Sequence, residues 1–297
     1  MSKLVELIPN FSTSDPAILD GLVKISTSIA GVTLLDHSAD ESHNRAVFTL
    51  VGTVDGIKEV AVKLSVFAKD NIDLTKHKGE HPRMGAVDVM PFVPVKNCTM
   101  DECVEMSKEV AERIYKEAGI PVFLYESSAT STKRQNLATI RKGQFEGMAE
   151  KMQDPEWTAD FGGNAPHPTA GVVAVGARPP LVAFNVNLDT DNLDIANNIA
   201  KIIRGSSGGF KHCKGIGIML EDRNIAQVSM NIVNYEGTPL YRVFETIKME
   251  AKRYGVGIVG SEIIGLTPAK ALTDCAEYYL QVEEFDYNKQ ILENHLM

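Results

Sequence analysis

Residues 76–94 read KHKGEHPRMGAVDVMPFVP, and this stretch changes character halfway along its length. The first half is a polar loop with two histidines, His77 and His81, among charged residues. The second half, residues 86–93, is apolar and β-branched apart from Asp88 and Pro91. A polar loop that leads into an apolar run predicts a buried strand that is entered from a functional loop.

His81 is the candidate catalytic residue of this loop. An imidazole titrates near neutrality, so it can take a proton from an attacking amine and later return one. Pro82 favours an extended backbone at His81, and a cation such as Arg83 could hold a carboxylate or a phosphate. Taken from composition alone, the same loop could be a solvated cluster of ion pairs in which His81 only orders the chain.

Outward from this stretch, the chain shows a β-α-β-β-α-β order twice. In the first half we predict strands at residues 4–9, 32–36, 46–52 and 86–93, with a polar turn at 37–44. In the second half we predict strands at 181–188, 215–220, 225–232 and 256–260. Helices with apolar residues at helical spacing separate these strands, and Asp55 is the expected cap of the second helix.

This order predicts the α+β class, with two ferredoxin-like α/β subdomains. We expect subdomains at residues 1–178 and 179–297, divided at Arg178-Pro179-Pro180. Each sheet has helices on one face, so we expect the two sheets to face each other and the helices to lie on the outer faces. Further elements are expected between the halves: a helix from Thr99, strands at 122–125 and 170–177, and a helix at 140–152 broken at Gly143.

Composition excludes several classes of protein. A net charge of −9 over 297 residues argues against general binding to nucleic acid or to a membrane surface. No apolar run reaches the ~18 residues of a membrane span, and the first residues lack the apolar core of a signal peptide. The four cysteines are scattered without a CxxC pair, which favours reduced thiols in the cytoplasm. No metal site is expected, because Gly79 and Pro82 disfavour a helix that would present His77 and His81 together.

Polar residues at strand ends are the other candidate ligands. Arg45 could hold a carboxylate or form an ordinary surface ion pair, and Asn44 could bond an amide. Asp36 could orient an imidazole or be a plain turn acid. Gln227, Ser229 and Asn231 share one face of a strand, which suits either a cleft or the solvent side of a half-exposed sheet.

Several motifs resemble the formiminotransferase family in order along the whole chain. They are LVELIPNFS, LLDHSADESHNRAVFTLVG, GEHPRMGAVDVMPFVPV, DFGGNAPHPTAGVVAVGAR, QVSMN and GSEIIGLTP. The resemblance implies a transferase of histidine breakdown that moves a formimino group between N-formimidoyl-L-glutamate and tetrahydrofolate. It also implies a folate held in a tunnel between the halves, a homodimer, and His81 as general base.

The resemblance further assigns a folate-binding segment whose glycines permit close approach of a flat ring. Its residues are Gly162, Gly163, Asn164, Ala165, Pro166, His167, Pro168, Thr169, Ala170 and Gly171. From the residues alone this is a loop before a strand. The same resemblance lets Asn44 bond the pterin or the substrate amide.

Two other readings stay open. The same pocket could handle a formyl group, either in glutamate formyl transfer or in cyclising 5-formyltetrahydrofolate, because formyl and formimino differ only by O versus NH. Alternatively, the chain could bind folate without turnover. We expect no cyclodeaminase segment in this polypeptide.

Overall fold

The chain folds as two units that divide between Arg178 and Pro179. The computed structural model describes residues 3–295. We call the part up to Arg178 the first unit and the part from Pro179 the second unit.

The first unit is built on one mixed sheet. Its strands are β1 (Leu4–Leu7), β2 (Asn10–Phe11), β3 (Val32–Asp40), β4 (Arg45–Gly52), β5 (Val87–Lys96), β6 (Val122–Glu126) and β7 (Val173–Ala177). β1 and β2 together lie between β4 and β5, and β3 is the edge strand beside β4. All of these pairings are antiparallel, whereas β5–β7 and β6–β7 are parallel.

The helices of the first unit lie on both faces of this sheet. They are α1 (Pro16–Ser28), α2 (Val54–Asn71), α3 (Met100–Ala118), α4 (Leu137–Arg141) and α5 (Gln144–Lys151). Short 3₁₀ turns occupy Thr132–Arg134 and Pro155–Trp157. Buried residues of α1, α2 and α3 form one apolar core with the sheet, whereas α4 and α5 contribute to a second core on the opposite face of β5, β7 and β6.

The second unit is a four-stranded antiparallel sheet in the order β11-β8-β10-β9. Its strands are β8 (Val182–Leu188), β9 (Cys213–Leu220), β10 (Ile225–Ile232) and β11 (Ile258–Ile264). Its helices are α6 (Leu193–Ile203), α7 (Leu240–Arg253), α8 (Ala269–Leu280) and α9 (Tyr287–Gln290), with 3₁₀ turns at Gly205–Ser207 and Leu292–His295. Alternate residues of β8 and β10 face the apolar core, as the period of two along a strand requires.

The predicted β-α-β-β-α-β order is present in both units. In the first unit it runs β1/β2-α1-β3-β4-α2-β5, and in the second β8-α6-β9-β10-α7-β11. Two local predictions also hold: Thr99 and Glu102 form a capping box at the start of α3, and Gly143, at φ 95°, separates α4 from α5.

Three local predictions are wrong. Helices lie on both faces of the first sheet, because β6 and β7 are apolar on both sides and need cover on both. The turn predicted at 37–44 shrinks to residues 41–44, because β3 pairs with β4 as far as Asp40↔Arg45. Thr53 caps α2 through its side chain, and Asp55 lies in the first turn.

Candidate active site

The loop between α2 and β5 is fastened to the β3–β4 turn. The Glu80 backbone N–H donates to the Ser42 carbonyl at 3.1 Å. A Cβ atom at Gly79 would lie 2.4 Å from the carbonyl oxygen of His43, so the two segments touch backbone to backbone there. This close approach fixes where the loop histidines lie.

Asn44 is the residue that holds these segments together. Its Oδ1 accepts from the Ser14 backbone N–H at 2.8 Å and from the Ser14 hydroxyl at 3.0 Å. Its Nδ2 donates to the Lys78 carbonyl at 2.9 Å, and its backbone takes a φ of 47°, a conformation that asparagine tolerates well. The Asn44 amide therefore joins the start of α1, the β3–β4 turn and the loop.

His77 and Arg83 form a second set of hydrogen bonds that hold the loop in place. Arg83 Nε donates to His77 Nδ1 at 3.0 Å, and because an arginine can only donate, Nδ1 carries the lone pair. His77 Nε2 then donates to the Asn44 carbonyl at 3.0 Å. The buried Arg83 also binds both carboxylate oxygens of Glu146, at 2.9 and 2.5 Å, and Gln144. Its donors are thus engaged within the protein.

His81 lies on the same loop but has no hydrogen bond within residues 3–295. Its Nε2 is buried and without a partner. The only ring that contacts it in this part of the chain is His43, at 6.3 Å between centroids. Burial, followed by the positive charges of Arg45 and Arg141, lowers the pKa of His81 to about 3. The imidazole is therefore neutral near pH 7, and its Nε2 is free of protein partners among the described residues.

The charges of Arg45 and Arg141 act on His81, and both arginines also interact with Asp88. We call Arg45, Asp88 and Arg141 the charge cluster. Asp88 is buried, accepts from the Met84 backbone N–H at 2.8 Å and forms an ion pair with Arg141 Nη2. Arg45 Nη2 donates to the Asn10 side chain. Burial lowers the pKa of Arg45, with the charges of Asp88 and Arg141 as smaller and opposing influences. The cluster is therefore a partly desolvated site with an excess of positive charge.

Sequence reasoning finds only part of this cluster. Arg45 is a candidate from the sequence, and Arg141 is one of several scattered cations that could meet a carboxylate. Nothing in the sequence pairs Arg141 with Asp88, which is only a polar break in an apolar strand. A charged residue inside an otherwise buried run is the signal that points to Asp88, because such a group needs a buried partner.

Asp36 is not at a strand end as predicted. It lies within β3, pairs with Thr49 of β4 and is exposed, and its side chain makes no hydrogen bond or ion pair to any described residue. The error follows from the length of β3, whose last four residues continue the pairing with β4.

The segment from Gly162 to Gly171 has two separate surroundings. At one end, Gly162 packs against Pro121 and Tyr115. At the other end, His167 Nδ1 accepts from the Ala170 backbone N–H at 3.0 Å, and Gly171 bridges to Gly85. No hydrogen bond or ring contact links this segment to His81 within the described chain, so its part in folate binding stays a prediction.

In the second unit, Gln227, Ser229 and Asn231 point away from the apolar core, on one face of β10. Gln227 Nε2 donates to Asn187 Oδ1 at 2.8 Å and to Glu262 at 3.3 Å, and Asn187 Nδ2 donates to Glu262 at 2.9 Å. Asn187 and Glu262 come from the neighbouring strands β8 and β11, so the sequence gives no reason to group them with Gln227. Ser229 is half-buried and Asn231 is exposed.

A cavity of about 460 Å³ opens beside the loop, lined in part by Asn44, Lys76 and His77. His81 does not line this cavity. Among residues 3–295 no group of three His, Cys, Asp or Glu side chains could hold a metal ion. In the same range no helix is long and apolar enough to cross a membrane.

Comparison with known proteins matches both units. Family models described as "Formiminotransferase domain, N-terminal subdomain" and "Formiminotransferase domain" match residues 4–178 and 183–295.

Full-length relatives give the same result. The chain is 68% identical to "Glutamate formimidoyltransferase" of Streptococcus pyogenes serotype M1 over 100% of both chains. It is 42% identical to the protein of that name from Thermoplasma acidophilum, over 96% of this chain and 94% of the other. It is 45% identical to "Formimidoyltransferase-cyclodeaminase" of Dictyostelium discoideum, over 95% of this chain but 54% of that protein. The chain belongs to the formiminotransferase family.

Proposed function

We propose that this chain transfers a formimidoyl group between N-formimidoyl-L-glutamate and tetrahydrofolate, as in the breakdown of histidine to glutamate. Two relatives with the name glutamate formimidoyltransferase align over nearly the whole of both chains, which supports this activity. The observation that carries the mechanism is the neutral, partly buried His81 with an unpaired ring nitrogen.

The transfer requires one proton to change places. The folate N5 atom attacks the formimidoyl carbon, a new N–C bond forms, and a proton leaves N5. The bond from that carbon to the glutamate nitrogen then breaks, and this nitrogen must receive a proton. His81 accepts the first proton and returns it to the departing nitrogen, which a single neutral imidazole can do. The reverse reaction uses the same steps in the opposite order.

The other candidate residues divide into two roles in this proposal. Asn44 and Arg83 use their side chains on protein partners, so they position the histidine loop rather than bind ligand. The charge of Arg45 acts on His81, and Arg45 remains a ligand-binding candidate. The segment Gly162–Gly171 keeps its assignment to the folate, and Gln227, Ser229 and Asn231 remain candidates for binding the substrate or the folate.

We also infer a cytoplasmic homodimer. The location rests on the scattered cysteines, which are free in the structure, and the dimer rests on the family resemblance. Tetrahydrofolate acts as a co-substrate, and the proposed steps use no metal ion.

The test is a donor comparison with purified protein. N-formimidoyl-L-glutamate and N-formyl-L-glutamate are each supplied with tetrahydrofolate, and the folate product is measured by absorbance and mass. We expect turnover with the formimidoyl donor and at least about 10²-fold less with the formyl donor. An acceptor that takes a hydrogen bond from the formimidoyl N–H would be left without a partner when O replaces that group. Turnover of the formyl donor alone would transfer the assignment to formyl chemistry, and binding of folate without any turnover would remove the enzyme assignment.

A further inference from the structure

We propose that Arg45 and Arg141 bind the α-carboxylate of the amino-acid substrate beside His81. This inference rests on the proposed function, and it names which group of the substrate the charge cluster recognises.

The charge balance of the cluster is the first argument. Two guanidinium groups share one carboxylate, and that carboxylate is already bonded to Arg141 and to the Met84 backbone N–H. Within residues 3–295 Arg45 takes part in no ion pair, and its hydrogen-bond partner, Asn10, is neutral. A partly buried charge without a counter-charge is costly, so the cluster is incomplete until an anion enters it.

Unused donors are the second argument. The Nε atoms of Arg45 and Arg141 are buried and have no partner. Their Nη1 atoms likewise have no hydrogen-bond partner among the described residues, and neither arginine is fully buried. A carboxylate offers two oxygens with about four lone-pair sites and matches guanidinium donors geometrically.

Another buried arginine, Arg134, shows that an unpaired Nε alone does not indicate an anion-binding site. Arg134 also has an unpaired buried Nε, but it is paired with Asp160 at 3.0 Å and bonded to two backbone carbonyls. Its charge is therefore balanced within the protein. What distinguishes the cluster near His81 is the missing counter-charge of Arg45, and Arg134 serves as the matched control.

Substrate chemistry selects the α-carboxylate. In N-formimidoyl-L-glutamate the nitrogen that must receive the proton is attached to Cα, and the α-carboxylate is attached to the same carbon. The γ-carboxylate lies two further carbons away. An anion site next to the imidazole that protonates this nitrogen therefore suits the nearer carboxylate.

Occupation of this site also changes His81. Without ligand, the two guanidinium charges oppose protonation of the imidazole and help to lower its pKa. A bound carboxylate offsets that positive field, which raises the pKa of His81 and lets the imidazole hold the transferred proton. The substrate thus prepares the base that acts on it.

The experiment compares two donors. N-formimidoyl-4-aminobutyrate keeps the amidine and the distal carboxylate of N-formimidoyl-L-glutamate but lacks the α-carboxylate. For the unmodified protein we expect kcat/KM to be about 10²-fold higher with the glutamate donor, because the analogue leaves two charged donors unpaired. For Arg45→Gln, which keeps the Arg141–Asp88 pair, we expect that ratio to fall below about 10-fold. Arg134→Gln should keep the full ratio.

Results that contradict the α-carboxylate assignment can be told apart from a result that contradicts the proposed function. If the unmodified protein uses both donors equally, or if Arg45→Gln lowers both by the same factor, the α-carboxylate assignment is overturned. If the unmodified protein uses neither donor, the proposed function itself fails. Thermal unfolding of each variant shows that it is folded, and Arg45→Lys, which keeps the charge but not the planar fork, should give an intermediate ratio.

Discussion

The substitution Asp88→Asn tests whether the charge cluster stabilises the fold of the first unit at the start of β5. The Asp88 side chain is 3% exposed and that of Arg141 14%, so this is a buried ion pair. Asparagine keeps an oxygen for the Met84 backbone N–H, so the substitution removes mainly the charge. Removal of one partner from a buried pair leaves the other charge uncompensated and costs about 3–5 kcal/mol. Here two arginines lose their one carboxylate, so we expect the upper part of that range.

This cost should be visible in thermal and urea unfolding. For a unit of this size each kcal/mol lowers the unfolding midpoint by about 2–4 °C, so a cost of about 4–5 kcal/mol should lower it by roughly 8–20 °C. Glu112→Gln, which breaks an exposed helical pair with Lys116, should cost less than about 0.5 kcal/mol. Asp88→Leu combined with Arg141→Met should recover most of the stability, because apolar residues replace a buried pair at little cost. A loss for Asp88→Asn no larger than that for Glu112→Gln would refute this reasoning.

Substitutions at a left-handed glycine, at Asn44 and at His81 should each change stability or turnover in a measurable way. Gly171→Ala should lower the free energy of urea unfolding by about 2 kcal/mol or more, because φ is +66° and the new Cβ would lie 2.1 Å from the carbonyl oxygen of Met84. Gly163→Ala is the control: φ is +80° but the space is open, so it should cost only about 1 kcal/mol. Asn44→Ala should lower kcat/KM about 10-fold or more, because it removes the hydrogen bonds that hold the loop in place. Thr99→Ala, which removes a helix cap, should cost about 1 kcal/mol of stability and leave kcat unchanged. Equal kinetics for the two variants would argue against a role of Asn44 in positioning the loop. Because the pKa of His81 is lowered in the folded state, the unfolded chain binds the proton first, so stability should be lost as pH falls from about 6.5 towards about 3. The variant His81→Gln should lose less stability over that range, and an unchanged pH dependence would contradict a lowered pKa.

The sequence predicts the order of elements well, because that order depends on local patterns. Alternating residues in β4 and β10 and helical spacing in α1 and α2 are each readable within one element. The second helical layer over β6 and β7 is harder to predict, because the sequences of two apolar strands do not indicate which chain segment covers their second face. The length of β3 escaped prediction because its last residues are polar and exposed, and only pairing with β4 keeps them extended.

The site was predictable only one residue at a time. His81 and Arg45 stand in recognisable motifs, but Arg141 meets Asp88 across 53 positions of sequence. The same holds for Gln227 and Glu262, which are 35 positions apart. Contacts at such separations are set by tertiary packing, so no local pattern contains them. Asn44 and Arg83 show the converse, because polar residues in a functional motif proved to be engaged with the protein itself.

Turnover of His81→Ala, measured beside tetrahydrofolate binding on the same preparation, tests the central claim most directly. We predict that kcat falls by about 10²-fold or more while the Kd for tetrahydrofolate stays within about threefold, because the imidazole moves protons and does not hold the folate. His295→Ala, near the end of the second unit, controls for loss of a histidine and should keep normal turnover. Turnover of His81→Ala equal to that of the unmodified protein would contradict the account and remove His81 from the reaction.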